Sequence, residues 1–381
     1  MTDVLIVGAA AAGLAAASAA AESQLSTVLL EADLRIGGRA HTVTLCPVAR
    51  LIWVVIICIQ FELNPLTDWL DEFGFSYEKT TWVSHYYRKN VLLPDDEVAQ
   101  YKNYQEQCSA RYSAALKERR DVAMESLVDG DSPWRSLYRS YRGLLHSRDW
   151  EQVSAYDAPR YRDIGEDWAI LDGLGALVCA YGKNLGAVLD CPVYSLDWLG
   201  DGVTAKTAKG DIQAKCAVIT VSTAIIAEQL LRFNPPLPDE FLSAAQSLPM
   251  GNYKHLYAVM PVRGESFNAQ QCFAGEELYM KIRPFRHPYV NACVAGAQAD
   301  EMDAWTEPNY TLFYEMPAGI FWVTMPPKNW ALSKPVIGGK ANGCAALTPP
   351  PFPATVIKER CLCNRWIIVY ILSAKRQHRI L

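Results

Sequence analysis

The start of the chain carries the sequence pattern that most restricts its fold. Residues 3–7 (DVLIV) form a short apolar run that ends at Gly8. Residues 9–21 are mostly alanine, which has the highest helix propensity of all residues. Residues 27–30 form a second apolar run, which ends at Glu31. This order predicts a strand, a glycine turn, a helix and a second strand, which together make a βαβ unit.

The glycine turn departs at one position from the fingerprint of dinucleotide-binding βαβ units. That fingerprint has three glycines, and this chain has Gly8, Ala10 and Gly13 in their places. Gly8 permits the tight turn, and Gly13 permits close packing of the helix on the strand. Ala10 adds a methyl group where the backbone should approach a phosphate, so we expect weaker nucleotide binding rather than none.

Glu31 stands at the end of the second strand, where dinucleotide-binding units have a carboxylate that binds the ribose. We therefore predict that Glu31 and the adjacent Ala32 contact a nucleotide, while the helix N-terminus faces the pyrophosphate. An ordinary βαβ unit, whose glycines serve only the turn, is the alternative.

A second glycine-rich turn, LRIGGRAHT, follows at residues 34–42. The stretches LIVGAAAAGLAAA and LEADLRIGGRAHT together resemble the flavin-containing amine oxidases, a family with monoamine and polyamine oxidases and, more distantly, phytoene desaturases and protoporphyrinogen oxidases. The resemblance implies that Gly37, Gly38 and Arg39 lie along the diphosphate of FAD. Glycines expose backbone N–H groups and a guanidinium binds phosphate through two hydrogen bonds, so the chemistry agrees. A solvated surface arginine is the alternative for Arg39.

The composition of the chain restricts which partners it can bind and in which cellular compartment it is expected. The chain has 381 residues, of which 50% are apolar, so it can bury a large core in two or three domains. Its net charge of −5 indicates no nucleic-acid partner, and no apolar run is long enough to span a membrane. The eleven cysteines show no zinc or redox spacing, so we expect no metal site. With no targeting segment in view, we predict reduced thiols in a cytoplasmic protein. The oligomeric state is not indicated.

The resemblance implies an α/β fold in two domains. A discontinuous, Rossmann-like FAD-binding domain would comprise residues 1–75 and 168–249. An α+β substrate domain would comprise residues 76–167 and 250–330. Within the first domain, the resemblance implies that Val193 holds the adenine through its backbone.

Several local patterns predict elements within these domains. Apolar spacing predicts an amphipathic helix over residues 64–73. Residues 95–161 are charged and aromatic with a mostly helical pattern, typical of a helical cover on the substrate side. Alternation around a Lys-Gly-Asp turn predicts a hairpin over residues 202–221, whose second strand returns to the parallel sheet. The aromatic-rich stretches at residues 277–296 and 310–325 are predicted to form further strands.

The stretch LPMGNYKHL, residues 248–256, contains the candidate catalytic residues. The resemblance implies a lysine here that holds a water molecule against the flavin N5 atom and so assists reoxidation by O2. The family lysine usually stands four residues after the glycine, which is His255, whereas Lys254 comes one position earlier. Neighbours on a strand point to opposite faces, so one of the two at most faces the flavin. We favour Lys254 because the family uses lysine; a residue that faces solvent is the alternative.

Two stretches depart from the family. Residues 45–60 are almost entirely apolar, and the nine consecutive apolar residues 51–59 alone would predict a buried strand, whereas the family has a polar, glycine-rich strand and turn there. We hypothesise that this stretch is translated out of frame, and the idea fails if no other frame of the coding DNA restores a glycine-rich segment. Residues 331–381 contain one acidic residue and eight Lys and Arg, and lack the family's closing segment. This atypical tail is either a basic partner-binding segment or a truncated or frame-shifted end.

The resemblance implies an FAD-dependent oxidoreductase that acts on an amine and O2. The flavin would take a hydride from the carbon beside an unprotonated amine, and O2 would reoxidise it to give peroxide. No side chain need act as a nucleophile, since the cofactor supplies the chemistry. The alternatives are a non-catalytic chain with impaired FAD binding, a desaturase-type flavoprotein that acts on C–C bonds, and an NAD-dependent dehydrogenase, which would rest on the βαβ unit alone.

Overall fold

The computed structural model describes most of the first 300 residues and parts of the remainder. The described residues are 1–46, 49–52, 57–58, 64–79, 83–88, 91–161, 168–259, 270–274, 278–282, 284, 289–304, 310–316, 319–325, 356–357 and 370–373.

The described helices and strands alternate through the first 30 residues and then form longer groups. The helices are α1 Ala11–Glu22, α2 Thr67–Glu72, α3 Asp95–Lys117, α4 Arg135–His146, α5 Leu174–Gly182, α6 Thr223–Ala227, α7 Asp239–Gln246 and α8 Ala297–Ala304. The first strands are β1 Thr2–Val7, β2 Thr27–Leu30, β3 Thr42–Cys46, β4 Ala49–Ile52, β5 Ile57–Cys58, β6 Tyr77–Lys79, β7 Val83–Arg88, β8 Val91–Leu92, β9 Trp168–Ile170 and β10 Val193–Asp197. The later strands are β11 Val203–Thr207, β12 Gly210–Ile219, β13 Arg232–Asn234, β14 Tyr253–Val259, β15 Gln270–Ala274, β16 Leu278–Ile282, β17 Tyr289–Ala295, β18 Tyr310–Met316, β19 Gly319–Met325, β20 Val356–Ile357 and β21 Tyr370–Ser373.

The first large sheet draws its strands from two separate parts of the chain, as predicted. Its order is β13-β10-β11-β12-β1-β2, with β21 paired to β12. β1 runs parallel to both β2 and β12, whereas β10, β11 and β12 form an antiparallel meander. The predicted hairpin is therefore confirmed, and its second strand does return beside β1.

This sheet is covered on both faces because β1 is apolar at every position after its first two. Val4 and Ile6 pack with Leu14 of α1 on one face. Leu5 and Val7 point to the other face, where they pack with apolar residues of α6 and α7. A strand buried on both faces reads as a continuous apolar run, which is the pattern of residues 4–7.

The second large sheet is mostly antiparallel and has the order β20-β14-β17-β16-β15-β7-β8. The helical region over residues 95–161 packs against it through an aromatic core. Tyr86 of β7 contacts Tyr101 of α3 with ring centroids 5.3 Å apart. The core of the helical region contains the buried residues Tyr101, Tyr104, Tyr112, Trp134, Tyr138 and Trp150. The predicted helical cover over one face of an α+β sheet is thus present.

Some predicted boundaries were wrong for local reasons. The helix predicted over residues 64–73 begins only at Thr67, because Asn64 closes a turn: its side-chain oxygen accepts the Leu66 N–H at 3.0 Å. The helix predicted from residue 9 begins at Ala11, because Ala10 has extended backbone.

The structure describes only parts of the two stretches that depart from the family, residues 45–60 and 331–381. Backbone at 42–46 pairs antiparallel with 49–52, and residues 57–58 pair with β9; residues 47–48, 53–56 and 59–60 lie outside the described residues, so the buried strand expected from the apolar run stays a prediction. In the tail, β20 pairs with β14 and β21 pairs with β12, while residues 331–355, 358–369 and 374–381 lie outside the described residues. The frame-shift hypothesis stays a prediction for both stretches.

The described part of the chain contains neither a helix suited to cross a membrane nor a cluster of metal ligands. Among its helices, none combines the length and the apolar character that crossing a bilayer requires. Nor do three His, Cys, Asp or Glu side chains come together there as ligands for a metal ion.

Replacing Leu14 with alanine should destabilise the protein by about 2–5 kcal/mol, because Leu14 is fully buried between α1 and β1. Urea unfolding measures the change. Leu34→Ala, at a position that is 75% exposed, is the matched control and should shift the unfolding free energy by less than about 0.5 kcal/mol. Equal effects of the two substitutions would contradict this packing.

Candidate functional site

The first turn requires glycine at two of its predicted positions. Gly8 has φ +103°, and a Cβ there would lie 2.8 Å from the Thr220 hydroxyl oxygen. A Cβ on Gly13 would lie 1.8 Å from the carbonyl oxygen of Gly8, so α1 could not pack this closely on the turn with any other residue. Both glycines therefore serve the geometry that the sequence predicted for them.

The carboxylate of Glu31 joins the end of β2 to the turn that precedes α1. One oxygen accepts the backbone N–H of Ala9 at 2.7 Å, and the other accepts the N–H of Asp33 at 2.9 Å. A carboxylate can accept about four hydrogen bonds, so capacity remains for ribose hydroxyls. Ala32, between Glu31 and Asp33, is exposed. The bond to Ala9 was not predicted from the sequence.

The second turn contacts the first directly. The Gly37 N–H donates to the carbonyl oxygen of Ala9 at 2.8 Å. Gly38 has φ +56°, and a Cβ there would lie 2.8 Å from the Cβ of Ala10. The absence of a side chain at Gly38 therefore makes room for the methyl group that Ala10 adds to the fingerprint. Arg39, the next residue, is exposed beside these turns.

The N-terminus of α5 closes on the end of the second turn, a contact that the sequence did not reveal. The Thr42 hydroxyl accepts the Ala176 N–H at 3.1 Å. A Cβ on Gly175 would lie 2.5 Å from the backbone nitrogen of Thr42, so Gly175 allows the approach. Gly175 lies in the first turn of α5, and Gly173 (φ +87°) is the residue before the helix.

Val193 follows a segment that runs beside Glu31. The Cys191 N–H donates to the Glu31 carbonyl oxygen at 2.8 Å, and the Asp190 N–H donates to that of Asp33 at 2.9 Å. Val193 then begins β10 opposite Thr207, with a bulge before Ser195. The structure thus brings the segment that leads to Val193 to the same end of β2 as the carboxylate.

Lys254 and His255 point to opposite faces of the second sheet. His255 lies opposite Cys293, Cys293 lies opposite Tyr279, and β15 joins Tyr279 in register to Tyr86. Residues directly opposite one another share a face, so His255 is on the face that packs against α3. Lys254 lies opposite Val294 on the other face and is only 2% exposed.

The polar contacts of His255 lie on the face toward the helices. Asn291 places its amide nitrogen 3.2 Å from Nδ1 of His255, and the Cys293 thiol donates to the Asn291 oxygen at 3.0 Å. Burial lowers the pKa of His255 to about 4; the Asn291 hydrogen bond partly opposes this by raising the pKa, and the Lys281 ammonium lowers the pKa more weakly. The imidazole is therefore neutral at pH 7 and belongs to a local polar cluster.

A cavity of about 350 Å³ is lined by residues of α4, the end of β17 and α8. Its lining includes Ser136, Arg139 and Gly143 of α4, together with Cys293, Gln298 and Glu301. These residues do not include the two glycine turns or Lys254. The cavity is thus separate from the predicted nucleotide contacts.

Two family models match the chain. The model described as NAD(P)-binding Rossmann-like domain matches residues 6–73, which include both glycine turns and Glu31. The model described as flavin containing amine oxidoreductase matches residues 82–277, more than half of the 381 residues.

Similar proteins of known type include demethylases and amine oxidases. Lysine-specific histone demethylase 1B of Mus musculus is 25% identical over 291 residues, which cover 68% of this chain and 35% of that protein. Polyamine oxidase 4 of Oryza sativa subsp. japonica is 22% identical over 284 residues, which cover 65% of this chain and 57% of that protein. The match therefore spans about a third of the demethylase and little more than half of the oxidase.

Solved structures show the same fold. Cyclohexylamine oxidase from Brevibacterium oxydans IH-35A superposes with a TM-score of 0.62 at 20% identity, over 80% of this chain and 78% of that one. A putrescine oxidase with redesigned cofactor binding gives a TM-score of 0.64 at 20% identity, over 80% of this chain and 77% of that one.

The contact between the two turns can be tested by a double-mutant cycle. Gly38→Ala should destabilise the protein, because it adds a left-handed alanine, which costs about 1–2 kcal/mol, and a clash with the Ala10 methyl group. In the Ala10→Gly background the clash is gone, so the same substitution should cost less, with a coupling of about 0.5–3 kcal/mol. Unfolding free energies of the four proteins give the coupling. Strictly additive costs would show that the methyl group and Gly38 do not touch.

Proposed function

Since the chain belongs to the flavin containing amine oxidoreductase family, we propose that it binds FAD and oxidises the C–N bond of a small amine, with O2 as the second substrate. The family resemblance seen in the sequence is confirmed, as is the assignment to flavin-dependent oxidoreductases. The observation that carries the proposal is the joining of both glycine turns and Glu31 through one residue, Ala9.

The residues at this junction fit a dinucleotide such as FAD. A Cβ at Gly8, Gly13, Gly37 or Gly38 would lie within 2.8 Å of another atom, so the backbone here is as compact as a phosphate-binding turn needs to be. The residues that would hold FAD are Gly8, Ala10, Gly13, Glu31, Ala32, Gly37, Gly38, Arg39 and Val193. In this assignment Glu31 accepts ribose hydroxyls, the two turns and Arg39 bind the diphosphate, and the backbone of Val193 holds the adenine.

The chain's own share of the reaction is to position the reactants and exclude water. When bound, the flavin would accept a hydride from the carbon beside the amine nitrogen and pass the electrons to O2, which gives peroxide. Lys254, on the sheet face away from α3, would hold the water molecule that assists the reaction with O2. His255 is the weaker candidate for that role, because its ring lies on the face toward α3 with Asn291 and Cys293.

We also propose the domain limits predicted from the sequence, with residues 1–75 and 168–249 binding the nucleotide and residues 76–167 and 250–330 binding the substrate. Most strands of the first large sheet come from residues 1–75 and 168–249, and most strands of the second come from residues 76–167 and 250–330, which supports this division. A small sheet of β5, β9 and β6 lies where the segments meet. A cytoplasmic location is supported by Cys108, Cys179, Cys191, Cys216 and Cys293, all of which are thiols.

An absorption spectrum of the purified protein, with and without added FAD, tests the proposal. A flavin band that bleaches without oxygen when a small amine is added would support an amine oxidase. Binding of NADH but not FAD would favour the second candidate, a nicotinamide-binding protein, which the description of the N-terminal match also allows. Failure to take up either nucleotide would support a non-catalytic chain.

Glu31→Ala should weaken FAD binding by about 1–3 kcal/mol, because the ribose hydroxyls lose their acceptor. That loss corresponds to about a 5- to 150-fold higher Kd, measured by fluorescence titration. Glu31→Gln is the matched control, since its amide oxygen still accepts one of the two backbone N–H groups and it should lose less. An unchanged Kd in Glu31→Ala would remove Glu31 from the site.

Lys254→Met should slow reoxidation of the reduced flavin by O2 more than it slows reduction by the amine. Methionine keeps the unbranched apolar stem of this buried residue but lacks the ammonium that would hold the water. Stopped-flow absorbance measures the two half-reactions separately. His255→Gln, on the opposite face, should leave reoxidation within about twofold of the unchanged protein. Equal slowing of both half-reactions in Lys254→Met would deny the lysine this role.

A further inference from the structure

Asn252, two residues before Lys254, is bound by three other parts of the chain. Its N–H donates to the carbonyl oxygen of Ser147 at 2.9 Å, and its carbonyl oxygen accepts the Gly296 N–H at 3.1 Å. Its side-chain amide donates to the Asp300 carboxylate at 2.6 Å. Asn252 is 5% exposed, so its own end of each bond is shielded from bulk water. These three hydrogen bonds hold the start of β14 to the loop after α4, to the turn after β17 and to α8.

The loop after α4 makes two further hydrogen bonds, one to the segment before β14 and one to the start of α8. The Arg148 guanidinium donates to the carbonyl oxygen of Met250 at 2.6 Å, and the Asp149 carboxylate accepts the Ala297 N–H at 2.9 Å. Gly296 has φ +64°, and a Cβ there would lie 2.9 Å from the Asp149 carboxylate. The loop thus inserts between the start of β14 and the start of α8 and contacts both.

The register of β14 decides which of its side chains faces away from the helices. A slip of one residue would move every side chain of a strand to the opposite face. In the observed register Tyr253 lies opposite Ala295, directly after the bond between Asn252 and Gly296, and Lys254 lies opposite Val294. A slip would place His255 where Lys254 now stands.

We propose that Asn252, through its hydrogen bond with Asp300, is a positioning residue that holds β14 in the register in which Lys254, and not His255, faces the flavin. This inference rests on the proposed function of Lys254. It explains how a lysine three residues after Gly251 takes a place that the family resemblance assigns to the fourth residue.

The hydrogen bond between Asn252 and Asp300 is well suited to this task. One partner is a carboxylate, and hydrogen bonds to charged groups are about twice as strong as neutral ones. Asp300 lies on the exposed surface of α8, so it can be changed without opening the core. Asn252 contributes an uncharged amide, so the buried end of the pair carries no charge.

The test exchanges the amide of Asn252 and the carboxylate of Asp300, first one at a time and then together. Asn252→Asp sets two carboxylates against each other and should break the bond, whereas Asp300→Asn keeps an oxygen that can accept from Asn252 and should change little. The double variant, Asn252→Asp with Asp300→Asn, restores one donor and one acceptor in reversed order and should recover the unchanged behaviour. Asp300→Ala, at the exposed position, removes the bond with the least risk to folding.

The first readout is acetylation of the protein without flavin, followed by mass spectrometry. Lys254 is 2% exposed and should resist acetic anhydride, while the exposed Lys206 and Lys215 should react and serve as internal standards. Without the bond the start of β14 is no longer held to α8 and opens to solvent while it changes register, so in Asn252→Asp and Asp300→Ala the acetylation rate of Lys254 should rise at least tenfold relative to Lys206. The double variant should return it to the original rate.

The second readout is the pair of flavin half-reactions in the loaded protein. Breaking the bond should slow reoxidation by O2 at least tenfold and reduction by the amine less than threefold. Unchanged acetylation of Lys254 in both bond-breaking variants would overturn the inference, and so would equal slowing of the two half-reactions. If the unchanged protein takes up no flavin, the proposed function fails, and the acetylation experiment still decides whether Asn252 fixes the register.

Discussion

The backbone of Ala9 is the constraint on which the nucleotide end of the fold depends. Ala9 is fully buried, so its N–H and its carbonyl both need partners within the protein. Neither partner is local: Glu31 accepts the N–H, and Gly37 donates to the carbonyl. The backbone of one residue therefore fixes the end of β2 and the second turn relative to the first turn. This single residue therefore joins the segments that carry the proposed nucleotide contacts, even though its own side chain is only a methyl group.

The sequence allowed prediction of features that depend on neighbouring residues. The apolar runs around β1 and β2, the glycines at Gly8 and Gly13 and the hairpin at β11 and β12 each follow from local steric rules. Contacts between distant segments could not be predicted in this way. The Arg148 guanidinium and the Met250 carbonyl are 102 residues apart, and no periodicity in either segment indicates that they meet.

The two faces of the second sheet show why the catalytic candidates could not be separated by sequence alone. Lys254 and His255 are adjacent, and both are polar residues in an otherwise apolar strand. Their surroundings separate them: the imidazole has hydrogen-bonding neighbours on the face that packs against α3, whereas the lysine lies on the face with Val294. Which face meets the helices is fixed by the four successive strand pairings that join β14, β17, β16, β15 and β7, and these pairings are a property of the whole sheet.

The pairing of β21 with β12 has a consequence for solubility. Residues 216–219 of β12 have β1 on one side and β21 on the other. If β21 were displaced, the amides and carbonyls of an apolar strand would face outward, and such an open edge recruits strands from other molecules. In this fold the short Tyr370–Ser373 strand therefore covers an edge of the first large sheet through which molecules could otherwise aggregate, in addition to any contribution that its four residues make to stability.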